Sequence, residues 1–155
     1  MSAARGNANQ SHYLASLLLS AWACDEREQG TPAAVLAQAY LPAVREHLIT
    51  AYGWFLLEIA GINDWPGGPP RSVQSLPEVP QGKAVAGELR EFDSLERSGW
   101  LNDLLAEIDL KSAPVRSRGN LAQPVADVPG PGDAQAWHTE LGAVMARMRD
   151  SLDEY

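Results

Sequence analysis

The chain has 155 residues, of which 45% are hydrophobic and 21% charged, an ordinary globular composition. Acids outnumber bases 20 to 12, a formal charge of −8, which argues against nucleic acid or an anionic membrane as partner because both demand clustered Lys and Arg. A single cysteine, Cys24, excludes an internal disulfide framework and every multi-cysteine metal or redox motif. One domain with a sizeable core is the simplest expectation for this length.

Two apolar stretches bear on location. Tyr13 to Cys24 could pass for a secretion signal, but Ser16 and Ser20 interrupt it and only Arg5 supplies charge ahead of it. Leu48 to Ile62 is shorter than the roughly 20 residues a bilayer span needs, and it contains Glu58. Both read as buried helix in a soluble, cytoplasmic protein with no membrane partner.

The first helix is expected over about 10–29, with Leu14, Leu17, Leu18, Ala21 and Cys24 as its inward stripe. In that setting Cys24 reads as a small core residue. Gly30 ends the helix, Thr31 suits an N-cap, and Pro32 suits a first helical position. The second helix, about 32–60, carries Leu41, Val44, Leu48, Tyr52, Phe55 and Ile59 on one face. Pro42 predicts a kink or short break in it. Its second half is apolar almost all round, which marks it as the central helix. A connector over about 61–83 follows. The third segment, about 84–109, has Val85, Leu89, Phe92 and Leu95 in phase; Ser98-Gly99 then shifts the pattern to Trp100, Leu101, Leu104, Leu105 and Ile108, so a bent or split helix is expected. After a second connector, about 110–132, Asp133 is expected to cap a last helix over about 133–154 with Trp137, Leu141, Val144, Met148, Leu152 and Tyr155 in its stripe.

Four amphipathic segments and no period-two alternation predict an all-α fold, an antiparallel four-helix bundle with a bent third helix and two long Pro/Gly-rich connectors. Of 24 Gly and Pro residues, 16 fall in the connectors, where Val73, Leu76, Val115, Leu121, Val125 and Val128 offer apolar anchors for packing along the bundle. The segment 84–110 has seven acids and two bases and reads as a solvated acidic face, onto which the basic run Lys111, Arg116 and Arg118 could dock. Four of the tryptophans, Trp22, Trp54, Trp100 and Trp137, should include core members, leaving Trp65 the most exposed.

Asn9-Gln10, Tyr13-Leu14 and Trp22 in the first helix, Glu46, His47-Leu48, Tyr52-Gly53 and Glu58-Ile59-Ala60-Gly61 in the second, Trp100-Leu101-x-x-Leu104-Leu105, and Trp137-x-x-x-Leu141 with Arg149-x-x-Leu152-x-Glu154-Tyr155 run in one order along the chain. In these the chain resembles a family of small proteobacterial proteins known only as a domain of unknown function. The resemblance implies an all-helical bacterial protein and carries over no catalytic residue.

Known chemical motifs are weak here. No Glu precedes a His by three residues, which opposes a di-iron bundle, and His-Glu-x-x-His is absent. Gly130-Pro131-Gly132-Asp133 reads as a capped helix start, not a phosphate turn, because Asp133 already brings a carboxylate there. Arg5 and His12 have the spacing of helical-bundle ribonucleases of the toxin–antitoxin type, but they sit at an N-terminus expected to fray. No metal and no cofactor are expected.

A hairpin turning near Gly30 brings residues His12 and His47 to one level, with Glu58 on the same side of the second helix about 16 Å further along. The expectation is a non-enzymatic protein acting through association as a homo-oligomer, with Trp54 and Leu57 at the interface because apolar surface on the second helix exceeds one stripe. The alternative is a ligand-binding or hydrolytic bundle with a polar pocket of His12, His47, Tyr52 and Glu58.

Overall fold

The computed structural model describes residues 2–77, 83–110 and 128–154. Five helices lie among them: α1 (Ala3–Glu28), α2 (Ala33–Ala60), α3 (Lys83–Ser98), α4 (Trp100–Leu105) and α5 (Pro131–Asp153), with one 3-10 turn at Val73–Ser75. Contacts fix their directions. Trp22 stacks on Tyr40, Phe55 and Tyr52 meet Phe92, Arg149 reaches Glu58, and Arg147 pairs with Glu91. The first pair makes α1 and α2 an antiparallel hairpin. The second runs α3 opposite to α2, and α5 runs alongside α2, so the bundle is antiparallel with α3 and α4 as its split third member.

Helix α1 begins seven residues earlier than its apolar pattern predicts. Ser2 caps it by accepting from the Arg5 N–H at 3.2 Å, so Arg5 sits in an ordered first turn. Its face is also turned. The buried residues are Ala4, Ala8, Ser11, Ala15, Leu19 and Trp22, whereas Leu17, Ala21 and Cys24 are exposed and Leu14 and Leu18 half-buried. Small side chains at Ala4, Ala8, Ser11 and Ala15 let α1 lie close against its neighbours; of the expected stripe, Leu17, Ala21 and Cys24 face out, while Leu18 still packs against the core. Cys24 is therefore a surface residue.

The α1–α2 turn uses Gln29 in the left-handed region (φ 54°), one residue before Gly30. Pro32 takes the N-cap position with its carbonyl accepting from Val35 and Leu36, and Thr31 supplies no side-chain cap. Helix α2 runs through Pro42 without a break. Pro42 is exposed, on the solvent side of the helix, where a lost main-chain hydrogen bond costs least. The expected stripe from Leu41 to Ile59 is fully buried, joined by Ala51, Leu56 and Leu57. Gly61 (φ 67°) closes α2, with Ile62 N–H donating to Leu57 O at 3.0 Å.

The first connector packs along α2. A Cβ on Gly53 would stand 2.0 Å from Pro70 O, so only glycine admits Pro69-Pro70 at that point. Val73 and Leu76 pack against the core, as does Val128 at the far end of the second connector. Val115, Leu121, Val125, the basic run Lys111, Arg116 and Arg118, the side chain of Val85 and Tyr155 lie outside the described residues. Gly99 separates α3 from α4, matching the phase shift in the sequence. Helix α5 starts at Pro131, and Asp133 stands inside its first turn, accepting from the Gly130 N–H at 2.9 Å instead of serving as the cap residue.

Trp22 and Trp137 are core members, while Trp54, Trp65 and Trp100 are all half-buried. Trp65 is tied to its own turn by an Nε1–H donated to Gly68 O at 2.9 Å. No helix among the described residues is long and apolar enough to cross a membrane.

Candidate functional site

Polar side chains line three seams of the bundle. Where α1, α2 and α5 meet, Glu58 is 10% exposed and Arg149 13%. Arg149 Nε donates to Glu58 Oε1 at 2.9 Å and Nη2 to Oε2 at 2.8 Å, a parallel two-bond pairing. Its remaining Nη1 donates to Asn9 Oδ1 at 2.8 Å, and its guanidinium lies 5.3 Å from the centre of the Phe55 ring. Arg5 approaches the same carboxylate at 3.8 Å. Glu58 is covered and hydrogen-bonded, as its apolar surroundings in the sequence predict.

Along the α1–α5 seam, His12 stacks on His138 with ring centres 3.8 Å apart and planes 13° from parallel. His12 Nε2 donates to His138 O at 2.9 Å, and His138 Nε2 donates to His12 O at 3.1 Å. A carbonyl oxygen only accepts, so each ring carries a proton on Nε2. Gly142 leaves room for this arrangement, since a Cβ there would lie 3.1 Å from His12 Cε1. Burial, then the neighbouring His12, holds His138 below the ordinary histidine value.

The third seam joins α2 to α3. Glu96 accepts a short hydrogen bond from the buried Tyr52 hydroxyl and another from Val73 N–H at 2.8 Å. Burial first, then the bond to Glu96, pushes the Tyr52 hydroxyl far above its usual value. Arg45 completes the set, donating to Leu104 O and Ala106 O where α4 ends.

The four pocket residues read from the sequence thus take separate partners. Glu58 goes to Arg149, Tyr52 to Glu96 and His12 to His138, and His47 is half-buried on α2. No hydrogen bond or ion pair joins any two of the four among the described residues. Leu57, read as an interface residue, is 1% exposed, and Trp54 is half-buried against the core. Among the described residues no group of three or more His, Cys, Asp or Glu is placed to hold a metal ion.

Sequence reasoning missed Arg149, Asn9, His138 and Glu96 as partners. A signal existed: His138 and Arg149 are eleven residues apart, three turns, and so fall on one flank of the α5 stripe. Arg5 and His12 likewise flank the buried face of α1, but not the leucine stripe expected from the sequence.

The surface carries a different feature. Between Arg5 and Asp25 the chain has no Asp, Glu, Lys or Arg. On the outward side of α1 this stretch exposes Tyr13 (60%) and Leu17 (49%), with Ala21 and Cys24 further along.

A family of unknown function, DUF6586, matches residues 1–155. The chain belongs to that family. No curated relative and no solved structure matches this DUF6586 chain.

Proposed function

We propose that this DUF6586 protein is a non-enzymatic, cytoplasmic bacterial helical bundle that acts through protein association, assembling as a homodimer through the outward face of α1. The observation that carries the reading is the uncharged stretch from Gly6 to Cys24, whose exposed side presents Tyr13 and Leu17 opposite a fully packed inner face. In a chain with 21% charged residues, a surface strip of this length without a charge is a poor solvent-facing design and a good contact surface. The polar seams support the same reading. Among the described residues the seam carboxylates Glu58 and Glu96 and the rings of His12 and His138 are engaged within the bundle, which suits a scaffold.

Light scattering coupled to gel filtration tests this. The expected mass at micromolar concentration is twice the 16.7 kDa of one chain. A mass of 16.7 kDa at every concentration up to the millimolar range would overturn it.

A further inference from the structure

Resting on that reading, we infer that the partner is a second copy of this chain lying antiparallel along α1, with the two-fold axis between Leu17 and Ala21.

Three observations carry the inference. Leu14, Leu17, Ala21 and Cys24 are spaced three, four and three residues apart, the spacing of a coiled-coil seam. Leu17, Ala21 and Cys24 are exposed on the side of α1 away from Ala8, Ala15 and Trp22, and Leu14 is half-buried. The seam's side chains are large at one end and small at the other. Antiparallel pairing sets Leu14 against the partner's Cys24 and Leu17 against the partner's Ala21, so every contact joins a large side chain to a small one. Parallel pairing would set leucine on leucine at one end and hold the helices too far apart for alanine and cysteine to meet at the other.

Charge points the same way. The seam continues at its C-terminal end to Glu28, and the last turn also holds Asp25 and Glu26 against one base, Arg27. Parallel pairing would bring the two acidic turns together, each at the negative end of its helix dipole. Antiparallel pairing lays Glu28 against the partner's Gln10, an amide that can donate to a carboxylate, and opposes the dipoles.

Cys24 supplies the test, because it is the chain's only cysteine. In the antiparallel arrangement it lies roughly 15 Å from the partner's Cys24, beyond the Cα separation of about 7 Å that a disulfide tolerates. Position 14 lies opposite it. Leu14→Cys, oxidised with diamide at micromolar concentration, should run as a covalent dimer on a non-reducing gel. Wild type and the double variant Leu14→Cys/Cys24→Ala should remain single chains. Should Leu14→Cys weaken assembly, Leu17→Cys/Ala21→Cys in the Cys24→Ala background probes the adjacent pair, again with a covalent dimer expected. Covalent dimerisation of wild type through Cys24 alone, or of Leu14→Cys/Cys24→Ala, would overturn the antiparallel arrangement. So would a dimeric mass by scattering with no cross-link at either designed pair. A monomeric mass for wild type would instead remove the association reading itself.

Discussion

His12 and His138 exchange hydrogen bonds with each other's main chain across the α1–α5 seam, each ring donating from Nε2 to the other's carbonyl while the two rings stack. Each hydrogen bond needs only an Nε2–H, but a charge on the partly buried His138 ring would be desolvated and set against the neighbouring His12. His138 is held below the unfolded value of 6.5, so its neutral form is the one the fold favours. The contribution to stability is therefore complete above about 6.5 and is lost as pH falls through the folded-state value. Urea midpoints measured from about pH 7.5 down to 5.5 should decrease, and His138→Gln, which can still donate but does not titrate, should flatten that decrease. An identical slope in the variant would show that other groups control it.

Gly142 and His12 offer a second, independent check on the same seam. Alanine in a helix interior normally exceeds glycine by roughly 0.5–1 kcal/mol. Here the new Cβ meets a ring clamped by its stack and its hydrogen bond. Gly142→Ala should thus stabilise the chain in a His12→Ala background and fail to do so in wild type. Equal gains in both backgrounds, read from denaturant curves, would show that the ring moves aside freely.

Gly53→Ala should be the most damaging single methyl. Its Cβ would occupy the place of Pro70 O, 2.0 Å away, and backbone rather than a flexible side chain must yield. A loss of about 2–3 kcal/mol is expected, together with increased protease cleavage in the Pro69–Leu76 region where the connector lifts from α2. Wild-type stability and cleavage would contradict the packing described for that connector.

For Glu58 and Arg149, removing one partner should cost more than removing both. Glu58→Gln leaves a covered guanidinium without its counter-charge and is expected to cost about 2–4 kcal/mol, somewhat below the range for fully buried pairs because Asn9 still accepts from Arg149. Glu58→Leu combined with Arg149→Met should cost less than either change alone. Additive losses in that cycle would mean the pair does not act as a unit.

The sequence showed the fold where one signal dominated. The α2 stripe from Leu41 to Ile59, the α5 stripe from Trp137 to Met148 and the break at Gly99 all follow from spacing alone. Helix α1 misled because it carries two apolar stripes. Weight of leucine favours Leu14, Leu17 and Leu18, but close approach to α2 and α5 favours Ala4, Ala8, Ser11 and Ala15, and close approach determines which side is buried. Caps failed for a related reason: Thr31 and Asp133 have the right chemistry, and the neighbouring prolines shift the helix start by one or two residues. At the seams, the need of Glu58 for a partner was readable from its apolar surroundings. Its partner was not, since Arg149 lies 91 residues away and only the tertiary fold brings them together.

Association through α1 is the central claim, and one comparison tests it most directly. Leu17 and Val35 are equally exposed leucine- or valine-sized side chains, at 49% each, but Leu17 lies on the outward seam of α1 and Val35 on the first turn of α2. Sedimentation equilibrium of Leu17→Glu and Val35→Glu, each checked for unchanged helix content, separates a specific face from general stickiness. The account predicts a single-chain mass of 16.7 kDa for Leu17→Glu and twice that mass for Val35→Glu and wild type. A dimeric mass that persists in Leu17→Glu would contradict it.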